Sequence, residues 1–83
     1  MFLAAEETDF HWDARSEERW LGAYEAPQDC EFELDRVAIL GRIDGQYFVA
    51  VCIVDGDGMA HGLIGKRVFA RRQAAVDAFE MQR

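Results

Sequence analysis

Residues 36–54 read RVAILGRIDGQYFVAVCIV, and this stretch decides the fold. Val37, Ile39, Gly41 and Ile43 alternate with Ala38, Leu40 and Arg42, which is the period of a β-strand. Asp44-Gly45 follows. A two-residue hairpin turn needs positive φ at both central positions, and an Asp-Gly pair tolerates it. Gln46 to Val54 is then rich in β-branched and aromatic residues. Its two alternating sets are both apolar, Tyr47, Val49, Val51 and Ile53 against Phe48, Ala50, Cys52 and Val54. A strand that is apolar on both faces belongs in the middle of a sheet covered on both sides.

Downstream, Asp55-Gly56-Asp57-Gly58 is a second turn, and Met59 to Phe69 forms a third strand loosened by Gly62 and Gly65. Arg71 to Gln82 carries Ala75, Val76, Ala78, Phe79 and Met81 at helical spacing without Gly or Pro. Ala75, Val76 and Phe79 are expected to face the sheet. The fold class is therefore α+β, a three-stranded antiparallel meander with a C-terminal helix. It forms a single domain over 1–83, with an acidic segment 1–35, the meander 36–69 and the helix 71–82. The helix covers one face of the central strand. The N-terminal region and a second copy of the chain, as a homodimer, are the two candidates for the other.

Upstream, the N-terminal third has two readings. As a helix, Ser16 caps it, Glu17 and Glu18 fill its first turn, Trp20, Leu21 and Tyr24 share a face, and Pro27 ends it. As a strand, Trp20, Gly22 and Tyr24 alternate with Leu21 and Ala23. The capping pattern favours the helix. Glu31 to Leu34 reads as extended, with Glu31 and Glu33 on one face.

The chain has 83 residues, 51% of them hydrophobic, with six Phe, two Trp and two Tyr, which supports a packed core and argues against disorder. The longest apolar run, Tyr47 to Val54, is too short to cross a bilayer, which takes about 20 residues. The N-terminus lacks the basic start of a signal peptide. A cytoplasmic location follows as the expectation, with Cys30 and Cys52 as reduced thiols.

Chemical motifs are sparse. Ser16 is the only serine and stands outside any nucleophile elbow. Cys30 lies between Asp29 and Glu31, whose charges disfavour a thiolate. His11, His61 and the cysteines lack metal-ligand spacing. Asp55 to Gly58 begins like a calcium loop, but Met59 and Lys66 stand where such a loop needs acidic residues. The glycines at 56, 58, 62 and 65 follow a hairpin turn instead of opening a helix, so they are not a dinucleotide fingerprint. No enzymatic activity, cofactor or metal is expected.

Charge is the informative feature. The net charge is −7, yet residues 1–35 carry 11 Asp/Glu against 2 Arg, and residues 36–83 carry 5 against 7 Lys/Arg. Glu17, Glu18, Glu25, Asp29, Glu31, Glu33 and Asp35 are the candidate partner-binding residues. In an extended segment Glu31, Glu33 and Asp35 form a regular row about 6.6 Å apart. A row of negative charge resembles a nucleic-acid backbone. Lys66, Arg67, Arg71 and Arg72 form an alternative basic site. Cations at a helix start oppose the helix dipole, so helix stability does not explain them. Direct nucleic-acid binding is nonetheless disfavoured by the overall negative field.

The segment Arg42 to Phe79 resembles strand-strand-strand-helix modules of small phage and mobile-element proteins, among them the arm-binding domain of tyrosine-type integrases. The turn Asp55-Gly56-Asp57-Gly58, the strand ending Val68-Phe69 and the helix bearing Ala75 and Ala78-Phe79 carry the resemblance. That family reads DNA with a basic sheet face. The central strand here has no basic residue, so that function is not carried over. In size, acidity and absence of a catalytic motif the chain is also similar to phage-encoded anti-CRISPR inhibitors, which bind Cas effector complexes and block DNA capture. The resemblance implies an inhibitor acting as a DNA mimic. Its partner would be a basic protein surface, such as that of a Cas effector or another nucleic-acid-binding protein. A nucleic-acid-binding or regulatory module using the basic cluster, or an acidic immunity or antitoxin protein, is the alternative.

Overall fold

The computed structural model describes residues 5–24 and 34–82, with side chains from residue 8 onward. The elements run α1 (Ala5–Ala14), β1 (Arg15–Tyr24), β2 (Leu34–Ile43), β3 (Gln46–Val54), β4 (Ala60–Phe69) and α2 (Arg72–Met81). Four strands form one antiparallel sheet in the order β1-β2-β3-β4, with a helix on each face. The α+β class and the C-terminal helix follow the sequence reading. The strand count does not, because the described residues form four strands and not three.

The extra strand is the segment read as a helix. Ser16 caps nothing. Its hydroxyl donates to the carbonyl of Leu40 at 3.1 Å while β1 pairs with β2 from Arg15 to Tyr24. Glu, Arg, Leu and Ala favour a helix locally, but pairing with an apolar neighbour strand outweighs a few tenths of a kcal/mol per residue. Two register shifts, between Arg15 and Glu17 and between Trp20 and Gly22, interrupt the alternation that would have announced a strand. Gly22 sits at φ 127, which no helix allows.

The helix of this region lies earlier, as α1, and runs into β1 without a loop. Its inward residues are Thr8 and His11, both buried, with Trp12 and Ala14 half-buried. A polar inner side left no apolar period to read. The His11 ring meets Phe48 edge-on at 4.9 Å.

The β2–β3 hairpin matches expectation, with Asp44 at φ 54 and Gly45 at φ 78 and an unbroken register. The two faces of β3 enter different clusters. Phe48, Ala50, Cys52 and Val54 join Val37, Ile39 and Leu63 on the α1 side. Val49 joins Ala38, Leu40, Ala75, Ala78 and Phe79 on the α2 side, with Tyr47, Phe69 and Val76 at the margin. Burying one such aliphatic or aromatic side chain contributes about 1.5–3 kcal/mol. Both covers of β3 come from the chain itself, so the packing reason for a second copy is met internally.

Candidate functional site

The structure sorts the charged residues by strand face and by sheet edge. Glu17 lies beside Leu40 and Glu18 beside Ile39, so consecutive carboxylates point to opposite faces of β1. Both are exposed. Asp9 and Asp13 are exposed on α1, four residues apart and thus on one side of the helix. The arginines of this region turn away from them. Arg15 stacks on Trp12 at 3.7 Å and donates to its carbonyl, reaching only Glu18, at 3.4 Å. Arg19 donates to the carbonyls of Phe79 at 2.8 Å and Gln82 at 2.6 Å, closing the end of α2. α1 and the edge strand β1 therefore present Asp9, Asp13, Glu17 and Glu18 to solvent, with Glu17 and Glu18 on opposite faces of the sheet. Asp9 and Asp13 were not singled out by sequence, although their four-residue spacing was available to read.

The row expected from Glu31, Glu33 and Asp35 is represented by Asp35, which is half-buried on the interior strand β2 between Ala23 and Val54. Glu25, Asp29, Glu31 and Glu33 lie outside the described residues, as do Pro27 and Cys30.

The basic cluster is split. Lys66 is on the α1 side, lining a pocket of about 150 Å³ with His11, Ile43, Phe48 and Val68. Arg67, paired with Val49, is on the α2 side with its guanidinium 5.2 Å over the Phe69 ring. Gly65 at φ 64 lies in the irregular stretch just before them. Arg71 and Arg72, both exposed, follow Phe69 into α2. Arg42, which sequence reasoning passed over, stands across from Tyr47 with its guanidinium 5.6 Å over that ring. Because Tyr47 pairs in turn with Phe69, Arg42, Tyr47 and Phe69 make one row across three strands. Among the described residues, Arg42, Lys66, Arg67, Arg71 and Arg72 form no ion pair.

The β3–β4 turn holds a carboxylate–imidazole pair. Asp55 Oδ1 accepts from the backbone N–H of Asp57 at 2.9 Å and Met59 at 3.0 Å, and Oδ2 lies 2.7 Å from His61 Nε2. The His61 bond, helped by those N–H groups, lowers the Asp55 carboxyl below its ordinary value of 3.8. The arrangement organises a turn. Cys52 is buried in the α1-side core, and burial pushes its thiol up to about 12, leaving it protonated and inert. Among the described residues, no three His, Cys, Asp or Glu side chains converge as metal ligands, and no helix is long and apolar enough to cross a membrane.

The chain matches no family model, no curated protein and no solved structure.

Proposed function

We propose that the chain is a non-enzymatic, cytoplasmic binding protein that uses its acidic surface to occupy a basic, nucleic-acid-type site on a partner, as anti-CRISPR inhibitors do. The observation that carries this reading is the charge arrangement of α1 and β1. Four carboxylates are exposed, Asp9 and Asp13 along one side of α1 and Glu17 and Glu18 on the two faces of the edge strand β1, while Arg15 stacks on Trp12 and reaches only Glu18, and Arg19 is held at the end of α2. Asp9 and Asp13 are separated by about 6 Å of helix rise. A groove that binds nucleic acid is built for closely spaced negative charge, and a folded acidic surface satisfies it without base pairs.

The test is capture of partners from host lysate on the immobilised chain, with duplex DNA as competitor. Nucleic-acid-binding proteins should be retained and then displaced by the DNA. A variant carrying Asp9→Lys, Asp13→Lys, Glu17→Lys and Glu18→Lys should retain none of them. Its fold should survive, since exposed substitutions change stability by about 0.5 kcal/mol or less each. Asp35 is left out of the variant because it is half-buried. Retention that DNA does not displace, or that survives charge reversal, rejects the reading.

A further inference from the structure

The arginines on the α2 side of the sheet are organised as a separate binding surface, and we propose that it takes the backbone of a single-stranded nucleic acid. This surface lies apart from Asp9 and Asp13 on α1 and from Glu18 on the α1 face of the sheet, and does not depend on their function, although Glu17 shares its face. It comprises Arg42, Arg67, Arg71 and Arg72, with Tyr47 and Phe69 beneath the first two.

Three observations converge on it. The guanidiniums of Arg42 and Arg67 lie 5.6 Å and 5.2 Å from the centres of half-buried aromatic rings. Stacking of this kind restricts a long side chain and leaves its N–H edges free for an oxyanion. None of the four arginines has an ion-pair partner among the described residues. Arg71 and Arg72 stand at the start of α2, whose first turn holds no acidic residue, and cations there work against the helix dipole. Their position costs stability, which is the mark of a surface kept for contact.

The net charge of −7 does not forbid this. β1 and β4 are opposite edges of the sheet, three strand spacings or about 14 Å apart. The screening length at physiological salt is about 8 Å. Arg67, on β4, is therefore largely screened from the acidic edge, whereas Arg42, on β2, lies one strand spacing from β1.

A single strand fits better than a duplex. Beside Arg67 and Phe69 a groove of about 460 Å³ runs along α2, lined further by Ala74, Asp77, Ala78, Met81 and Gln82, with Met81 largely exposed. An unpaired base can enter such a mixed polar and apolar groove, against Phe69 and Met81, while its phosphates meet the arginines. A duplex keeps its bases stacked inside and offers only its backbone.

The experiment is fluorescence anisotropy of a labelled, mixed-sequence single-stranded oligonucleotide titrated with the full chain over a range of salt. Binding should weaken with salt at a slope of about −0.7 per phosphate contacted. The double variant Arg42→Ala and Arg67→Ala should weaken it about tenfold or more and reduce the slope by about 1.4. Lys66→Ala, on the opposite face of the sheet, should leave it unchanged. The matching duplex and polyglutamate should both bind more weakly than the single strand. The proposal is overturned by an absence of salt-dependent binding, by an equal loss in Lys66→Ala, or by an unchanged double variant. Duplex or polyglutamate binding as tight as that of the single strand overturns it as well.

Discussion

Gly41 is the point at which α1 and β1 meet the sheet, and it has no room for a side chain. A Cβ there would lie 2.5 Å from the carbonyl oxygen of Ala14 and 2.6 Å from two carbons of the Phe48 ring. The first of these is backbone and the second belongs to a fully buried ring, so neither gives way cheaply. Gly41→Ala should therefore destabilise the protein by about 2 kcal/mol. In a domain of this size that lowers the melting temperature by roughly 8 °C or more. Gly56→Ala is the control. Nothing lies within 4 Å of its Cβ position and its φ is not positive, so it should change stability by less than about 0.5 kcal/mol. Thermal and chemical denaturation of the two variants, compared with the parent, separates crowding from the general cost of replacing a glycine. The sequence marked Gly41 only as one member of an alternating strand. Its role comes from a contact with residue 14, which no local pattern contains.

At the scale of elements, the least expected tie joins β1 to α2. The last carbonyls of a helix have no partner within it. Here Arg19, some sixty residues upstream, donates to three of them, those of Phe79, Glu80 and Gln82, with its guanidinium 5.7 Å over the Phe79 ring. α2 has no basic residue in its own last turn, so this capping is supplied from outside. Arg19→Ala should cost about 1–2 kcal/mol, discounted from the value for charged hydrogen bonds because two of the three bonds are exposed. It should also speed hydrogen exchange at the amides of the last turn of α2 more than at those of β3. Arg19→Lys should recover part of the loss, since lysine keeps a cationic donor but has a shorter side chain and no planar guanidinium to lie over the Phe79 ring. Equal acceleration throughout the sheet would mean that Arg19 acts on global stability alone.

For the whole molecule, the sheet needs both of its helices. α1 lies over the cluster containing Phe48, Cys52 and Leu63, all of them at most 2% exposed. Removing residues 1–14 uncovers that apolar face, and a contiguous exposed patch of this kind drives association. The truncated chain should sediment as a concentration-dependent oligomer where the full chain does not. Its Cys52 should react with a thiol reagent at neutral pH, whereas in the full chain a thiol pushed up to about 12 stays unreactive until the protein unfolds. A truncated chain that remains monomeric, with an unreactive Cys52, would show that α1 is not the cover.

The sequence by itself determined the β2–β3 hairpin, the doubly apolar β3, the third strand of the meander and the C-terminal helix. Each of these is encoded in a period of 2 or 3.6 residues or in a turn dipeptide, all of which are local. It also revealed that negative charge is concentrated in the first 35 residues. Tertiary structure decided the rest. Residues 15–24 are a strand because β2 offers an edge to pair with, which outweighs a local preference for helix. α1 packs through Thr8 and His11, polar residues that acquire an inward side only once Phe48 is there to meet them. The faces of the sheet separated Lys66 from Arg67 and Glu17 from Glu18, and the strand pairing brought Arg42 into a row with Tyr47 and Phe69. Which charges act together is a property of side-chain direction and strand order, and neither exists until the chain has folded.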